Sequence, residues 1–199
     1  MDESKRALRV AALSQRSSLS TPKYVSWSRL IQARVLESSF YRRAQSVAFY
    51  SSVQNEVSTD DIADHALRIG KKVFYPRFSP NQALFVLIQS AAELSPGTLG
   101  IREPSGETLL ADHDDLNLLV LVPGVAFDIH GNRLGRGLGW YDRLLRNLGP
   151  RAMPVGLAYE FQMVDRVPTE SWDEKVKYIF TENRLIDCQR VPEQTTLVC

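Results

Sequence analysis

Residues 122–145, Val-Pro-Gly-Val-Ala-Phe-Asp-Ile-His-Gly-Asn-Arg-Leu-Gly-Arg-Gly-Leu-Gly-Trp-Tyr-Asp-Arg-Leu-Leu, carry the densest chemistry in the chain. Glycine at 135, 137 and 139 leaves the main chain free to turn its N–H groups toward a ligand, and Arg133 and Arg136 set two permanent cations beside them. That composition suits an anion, phosphate above all. Asp142 follows the aromatic pair Trp140-Tyr141 and falls in the first turn of the helix predicted next. A carboxylate there suits the helix dipole and can hold a cation that bridges to phosphate, so these residues point to a nucleotide with Mg²⁺. The loop lacks the G-K-[ST] ending of a Walker A motif and does not fit G-x-G-x-x-G, which sets both of those classes aside.

Such a loop needs a strand before it and a helix after it. Leu118 to Val122 is an apolar run of strand length. Farther upstream, Ser46 to Ser51 has strand character, Thr59-Asp60-Asp61 opens a helix ending before Gly70, and Val73-Phe74-Tyr75 is a strand stopped by Pro76. Strand, helix and strand on short connections make a βαβ unit, which implies a parallel sheet. Residues 83–89, 154–159 and 176–181 predict further strands. A first helix is predicted over 3–17, with Ala7, Leu8, Ala11, Ala12 and Leu13 on one side and Lys5, Arg6, Arg9 and Arg16 spread among the others; a second runs from Pro22 to about Ser39. Residues 90–115, rich in Pro, Gly and acids, have weak periodicity, and a lid over the site is one role for a segment of this kind. The expected fold is a single-domain α/β three-layer sandwich, a mostly parallel sheet with helices on both faces. The glycine loop then leaves the carboxyl end of a central strand, where open α/β sheets bind ligands.

The whole chain bounds the answer. Its 199 residues suit one core, and 44% hydrophobic and 24% charged residues with a net charge of +1 describe a globule without general attraction to nucleic acid or anionic membrane. The first residues, Met-Asp-Glu-Ser-Lys-Arg, do not read as a secretory signal, and the apolar stretch from Leu118 to Phe127 is too short to span a membrane. Cys188 and Cys199 form no C-x-x-C pair, and His65, His113 and His130 have no zinc-like spacing. A cytoplasmic monomer with a small-molecule substrate is the expectation.

By itself, a G-x-G-x-G loop is also what a tight strand-to-helix connection requires. Further segments accompany it in order: Lys5-Arg6-Ala7-Leu8-Arg9, Glu56-Val57-Ser58-Thr59, Pro76-Arg77, Gly100-Ile101-Arg102-Glu103-Pro104, Pro123 to Asp142, Val167-Pro168 to Asp173, and Thr181-Glu182. Together they resemble the 5-formyltetrahydrofolate cyclo-ligases, also called 5,10-methenyltetrahydrofolate synthetases, whose signature P-G-x-x-F-D-x-x-G-x-R-L-G-x-G-x-G-[YF]-Y-D is met from Pro123 to Asp142. Two positions depart from it: Leu138 stands where Lys or Gly is usual, and Trp140 where Tyr or Phe is usual. Trp keeps an aromatic face, whereas Leu138 brings no cation to a phosphate and leaves that charge to Arg136.

The resemblance implies ATP-dependent closure of 5-formyltetrahydrofolate to 5,10-methenyltetrahydrofolate with release of ADP and phosphate. It implies that Lys5 and Arg9 reach the nucleotide, that Arg133, Leu134, Gly135, Arg136, Gly137, Leu138, Gly139, Trp140 and Tyr141 wrap it, and that Arg136 stabilises the transferring group. Asp142 and Asp173 would hold Mg²⁺. Ser51, Glu56, Arg136 and Trp140 would meet the folate. Plainer roles compete: a solvated helix face for Lys5 and Arg9, a first-turn helix carboxylate for Glu56, a turn for Asp173, a dipole partner for Asp142, a core anchor for Trp140. A non-catalytic folate- or nucleotide-binding protein on the same scaffold is the alternative function, and a sugar-phosphate or thioester enzyme is a third by fold analogy alone.

Overall fold

The computed structural model describes residues 3–79, 82–112 and 117–190. Helices α1 (Glu3–Ser17), α2 (Thr21–Glu37) and α3 (Ser39–Arg43) lead into β1 (Ser46–Ala48), α4 (Asp60–Arg68), β2 (Lys72–Ser79) and β3 (Gln82–Ile88). A short ribbon, β4 (Leu94–Pro96) and β5 (Arg102–Pro104), precedes β6 (Leu118–Val122), the hairpin of β7 (Ala126–Phe127) and β8 (Arg133–Leu134), and α5 (Trp140–Leu148). The last strands are β9 (Ala152–Leu157), β10 (Tyr178–Phe180) and β11 (Leu185–Asp187). Seven strands form one sheet in the order β11-β10-β9-β6-β1-β2-β3. Its inner pairs are parallel, and antiparallel β3 and β11 close the edges.

Alternation along the strands builds two cores, because successive side chains point to opposite faces. Val47, Leu119 and Leu121 pack against Ile31 and Val35 of α2, Tyr41 of α3 and Ile62 of α4. Ala48, Leu118, Val120 and Val122 meet Leu144, Leu145 and Leu148 of α5 on the other face. Helices on both faces of a mostly parallel sheet are the expected three layers. Among the described residues, no helix is long and apolar enough to cross a membrane. Cys199 and His113 lie outside the described residues.

Two local expectations need correction. Pro76 does not stop its strand: β2 continues to Ser79, and Pro76 pairs with Phe85 of β3. The Phe49 N–H donates to the Phe74 carbonyl at 2.8 Å, so Phe74, and with it Pro76 two residues on, points its main-chain polar groups toward β1. The regular pairing of β1 ends at Ala48 opposite Phe74, so the donor that proline lacks is not needed. The inward face of α1 also differs. Lys5, Leu8, Arg9, Ala12, Leu13 and Arg16 are at least partly buried, whereas Ala7 and Ala11 are exposed. These positions recur at helical spacing, so Lys5, Arg9 and Arg16 share the packed stripe while Arg6 stays exposed.

Sheet topology fixes the site. The chain passes from β1 through α4 to β2 on one side, and from β6 through α5 to β9 on the other, so the direction of winding reverses between adjacent β1 and β6. A crevice opens beyond the carboxyl ends of strands at such a point. Tyr50 and Ser51 leave β1 there, and Pro123 and Gly124 leave β6.

Candidate active site

A cavity of about 310 Å³ occupies this crevice. The β7–β8 hairpin delivers the glycine loop to it, a detail that strand periodicity did not reveal because each strand has only two residues. Asp128 closes the hairpin turn: Oδ1 accepts from the N–H groups of His130 and Asn132, both at 3.0 Å, and Oδ2 from the Val167 N–H at 3.0 Å. Past β8, Gly137 has φ 102° and Gly139, at the start of α5, has φ 64°. Those left-handed conformations suit glycine and turn the main chain around the cavity wall.

All fifteen residues singled out from the sequence line this cavity: Lys5, Arg9, Ser51, Glu56, Arg133 to Asp142, and Asp173. They arrive from α1, the ends of β1 and β8, the glycine loop, α5 and the segment before β10. Arg9 donates from Nε to the Gly135 carbonyl at 2.8 Å and makes no ion pair among the described residues. The other lining cations are engaged. Lys5 Nζ lies 3.0 Å from Asp173 Oδ2, Arg133 Nη2 2.7 Å from Asp142 Oδ1, and Arg136 Nη2 2.9 Å from Glu56 Oε1. Lys5 and Arg9 are therefore inward groups, not a solvated helix face.

Several of the plainer roles are present in the structure. Glu56 lies before α4 and caps no helix; its Oε2 accepts the Val53 N–H at 3.1 Å. Asp173 does shape a turn, accepting the Glu170 N–H at 2.8 Å. Asp142 accepts the Glu174 N–H at 3.2 Å from the first turn of α5. Trp140 stacks on Phe78 with ring centroids 4.1 Å apart, so one face of its indole is covered. Ser51 Oγ donates to the Arg102 carbonyl at 2.6 Å and ties the β4–β5 ribbon to the cavity mouth, where Ile101 joins the lining. Residues 113–115 of the segment considered as a lid lie outside the described residues.

Bonds to Asp142 converge on Oδ1 and those to Asp173 on Oδ2, which leaves the other oxygen of each for a cation. Mg²⁺ takes one or two carboxylates and completes its shell with water and phosphate oxygens, so this donor set fits it. Among the described residues, no group of three or more His, Cys, Asp or Glu forms a metal cage by itself.

Sequence reasoning missed Trp172 and the burial of Arg16, and it singled out Tyr141 without its buried hydroxyl. Trp172, 58% exposed, lines the cavity. Tyr141 buries a hydroxyl that has no hydrogen-bond partner among the described residues, and burial pushes its pKa well up. Arg16, placed among outward cations, is 1% exposed beneath the crevice. Its burial lowers the guanidinium pKa, and the charge of Glu56 opposes that shift. The readable signal was spacing: Arg16 follows Leu8 and Ala12 at intervals of four on the inward stripe of α1.

A doubly wound sheet, a glycine loop and a cation-lined crevice at the switch point define an α/β protein with its cavity where open sheets of this class bind ligands. Residues 1–182 match the 5-formyltetrahydrofolate cyclo-ligase family. The 5-formyltetrahydrofolate cyclo-ligase of Escherichia coli (strain K12) is 35% identical over 150 residues, covering 71% of this chain and 80% of that one. That of Mycolicibacterium smegmatis is 30% identical over 186 residues, 91% and 95% of the two chains. The 5,10-methenyltetrahydrofolate synthetase of Aquifex aeolicus superposes with a TM-score of 0.82 at 30% identity, covering 98% of this chain and 99% of that one. The chain belongs to the 5-formyltetrahydrofolate cyclo-ligase family and is an enzyme, a ligase.

Proposed function

We propose that this enzyme cyclises 5-formyltetrahydrofolate to 5,10-methenyltetrahydrofolate at the expense of ATP, with Mg²⁺, releasing ADP and phosphate. The observation that carries this reading is the convergence on one cavity of a glycine loop, the uncommitted Arg9, and an aromatic and apolar wall that includes Tyr50, Phe78 and Trp140. One side suits polyphosphate and the other a flat heterocycle.

The chemical obstacle is the formyl oxygen, a poor leaving group. Transfer of the γ-phosphoryl from ATP to that oxygen gives an N5-iminium phosphate; N10 attacks the formyl carbon and gives its proton to solvent, the C–O bond breaks, and phosphate departs with the bonding pair. Phosphoryl transfer asks the protein chiefly for in-line positioning and charge neutralisation. Arg9 and the main-chain N–H groups of the glycine loop hold the phosphates, and Arg136 stabilises the charge at the transferring group. Glu56 accepts from pterin N–H groups. Asp142 and Asp173 would hold Mg²⁺, which when bound would neutralise phosphate charge.

Absorbance of the methenyl product tests this directly. Product is expected only when 5-formyltetrahydrofolate, ATP and Mg²⁺ are all supplied. Product without ATP, or none from folded protein given all three, overturns the proposal.

Leu138 provides a graded test. It is 48% exposed on the cavity rim, where an added lysine would face the phosphates through solvent. Leu138→Lys is expected to tighten ATP binding about two- to fivefold at low salt, the worth of an exposed charge pair. The gain should vanish near ~1 M salt, where charges are screened within about 3 Å. An unchanged Kd at low salt would place the phosphates away from this loop.

A further inference from the structure

We propose that Arg16 is a positioning residue for the reaction, the counter-charge that takes over Glu56 when Arg136 turns to the nucleotide. This rests on the functional reading above. Glu56 Oε1 lies between two guanidinium groups. Arg136 donates to it from Nη2 at 2.9 Å and from Nε at 3.3 Å, while Arg16 Nη2 stands 3.6 Å away, just beyond hydrogen-bond reach. Since Oε2 is held by the Val53 N–H, the carboxylate is anchored at one oxygen and contested at the other.

The two arginines differ in freedom. Arg136 is 36% exposed along its side chain, and its other bond goes to Gln54 Oε1 at 2.8 Å, so it is able to leave. Arg16 is fully buried and held by Nη1 to the Gly124 carbonyl at 3.3 Å. Its Nε and Nη2 have no hydrogen-bond partner among the described residues. Unmade bonds on a buried guanidinium are costly and uncommon. A fixed donor beside an acceptor that another group occupies is poised to take that acceptor once the group departs. The roles assigned above call for such a departure, because Arg136 acts at the transferring phosphoryl group whereas its guanidinium is now held by Glu56. With Arg16 behind it, Glu56 is not left as a buried, unpaired charge when phosphate draws Arg136 away. Arg16 does not itself line the cavity, so it acts through Glu56.

Calorimetric titration with a non-hydrolysable ATP analogue and Mg²⁺, without folate, tests this. Arg16→Gln is expected to weaken binding about tenfold, because Glu56 then depends on Arg136 alone, and Arg16→Lys to recover most of the loss. Glu56→Gln by itself is expected to tighten binding a few-fold by releasing Arg136. Added to Arg16→Gln, it should restore the affinity to within about threefold of wild type. Melting curves check that each variant is folded, and Glu56→Gln keeps the test open if Arg16→Gln is not. Wild-type affinity in Arg16→Gln, a double variant as weak as Arg16→Gln, or no gain from Glu56→Gln overturns the proposal. A wild-type protein that fails to bind the analogue overturns the functional reading instead.

Discussion

Asp142→Ala is expected to abolish measurable turnover and also to destabilise the fold by about 3–5 kcal/mol, the usual consequence of removing one partner from a buried ion pair. Arg133 is the reason for the second effect. Its side chain is 4% exposed, its Nε already lacks a hydrogen-bond partner among the described residues, and Asp142 is its counter-ion at 2.7 Å. Removing the carboxylate strands a desolvated guanidinium and frees the Glu174 N–H that braces the loop before β10. For a chain of this size, the melting temperature should fall by roughly 6–20 °C. Asp142→Asn separates structure from chemistry, since it keeps an acceptor for Arg133 and Glu174 but weakens a cation site. It should retain much of the stability while shifting the Mg²⁺ dependence of turnover to higher concentration. Thermal melts with Mg²⁺ titrations of the rate check both. An alanine variant that melts like wild type removes the ion-pair argument, and an asparagine variant with unchanged Mg²⁺ dependence removes the metal role.

Much of this architecture was legible because local signals and global fold agree. The βαβ unit, the all-buried β6 and the glycine loop each follow from short-range rules, and they suffice to place the crevice between β1 and β6. What stayed hidden depends on partners remote in sequence. Pro76 ends a strand by local rules; it is tolerated because β1 is short, which nothing near Pro76 announces. Arg133 reads as a free cation beside glycines, but its commitment to Asp142 requires the hairpin and α5 to meet. The cations of α1 read as solvent-facing on composition, although their spacing puts Lys5, Arg9 and Arg16 on the packed stripe. Helical periodicity was the stronger evidence there, because spacing decides which side of a helix packs whatever charge the residues carry.

Arg136 carries the other large effect. Arg136→Met is expected to lower kcat by about 10²–10³, the range for deleting one preorganised group aimed at transition-state charge, or about 2.7–4 kcal/mol. Affinity for the folate should change little, because Arg16 stands behind Glu56 and covers its charge once Arg136 is gone. That split distinguishes charge stabilisation from mere positioning of Glu56, which would raise the folate Kd and leave the maximal rate nearly intact. Arg136→Lys should recover only part of the rate, since a point charge does not reproduce the planar fork that now donates from Nε and Nη2 to one oxygen and from Nη1 to Gln54. Single-turnover measurements under saturating ATP isolate the chemical step from product release. If they return a wild-type rate for Arg136→Met, the transferring phosphoryl group is stabilised elsewhere, and Arg9, the lining cation without an ion pair among the described residues, becomes the residue on which the chemistry turns.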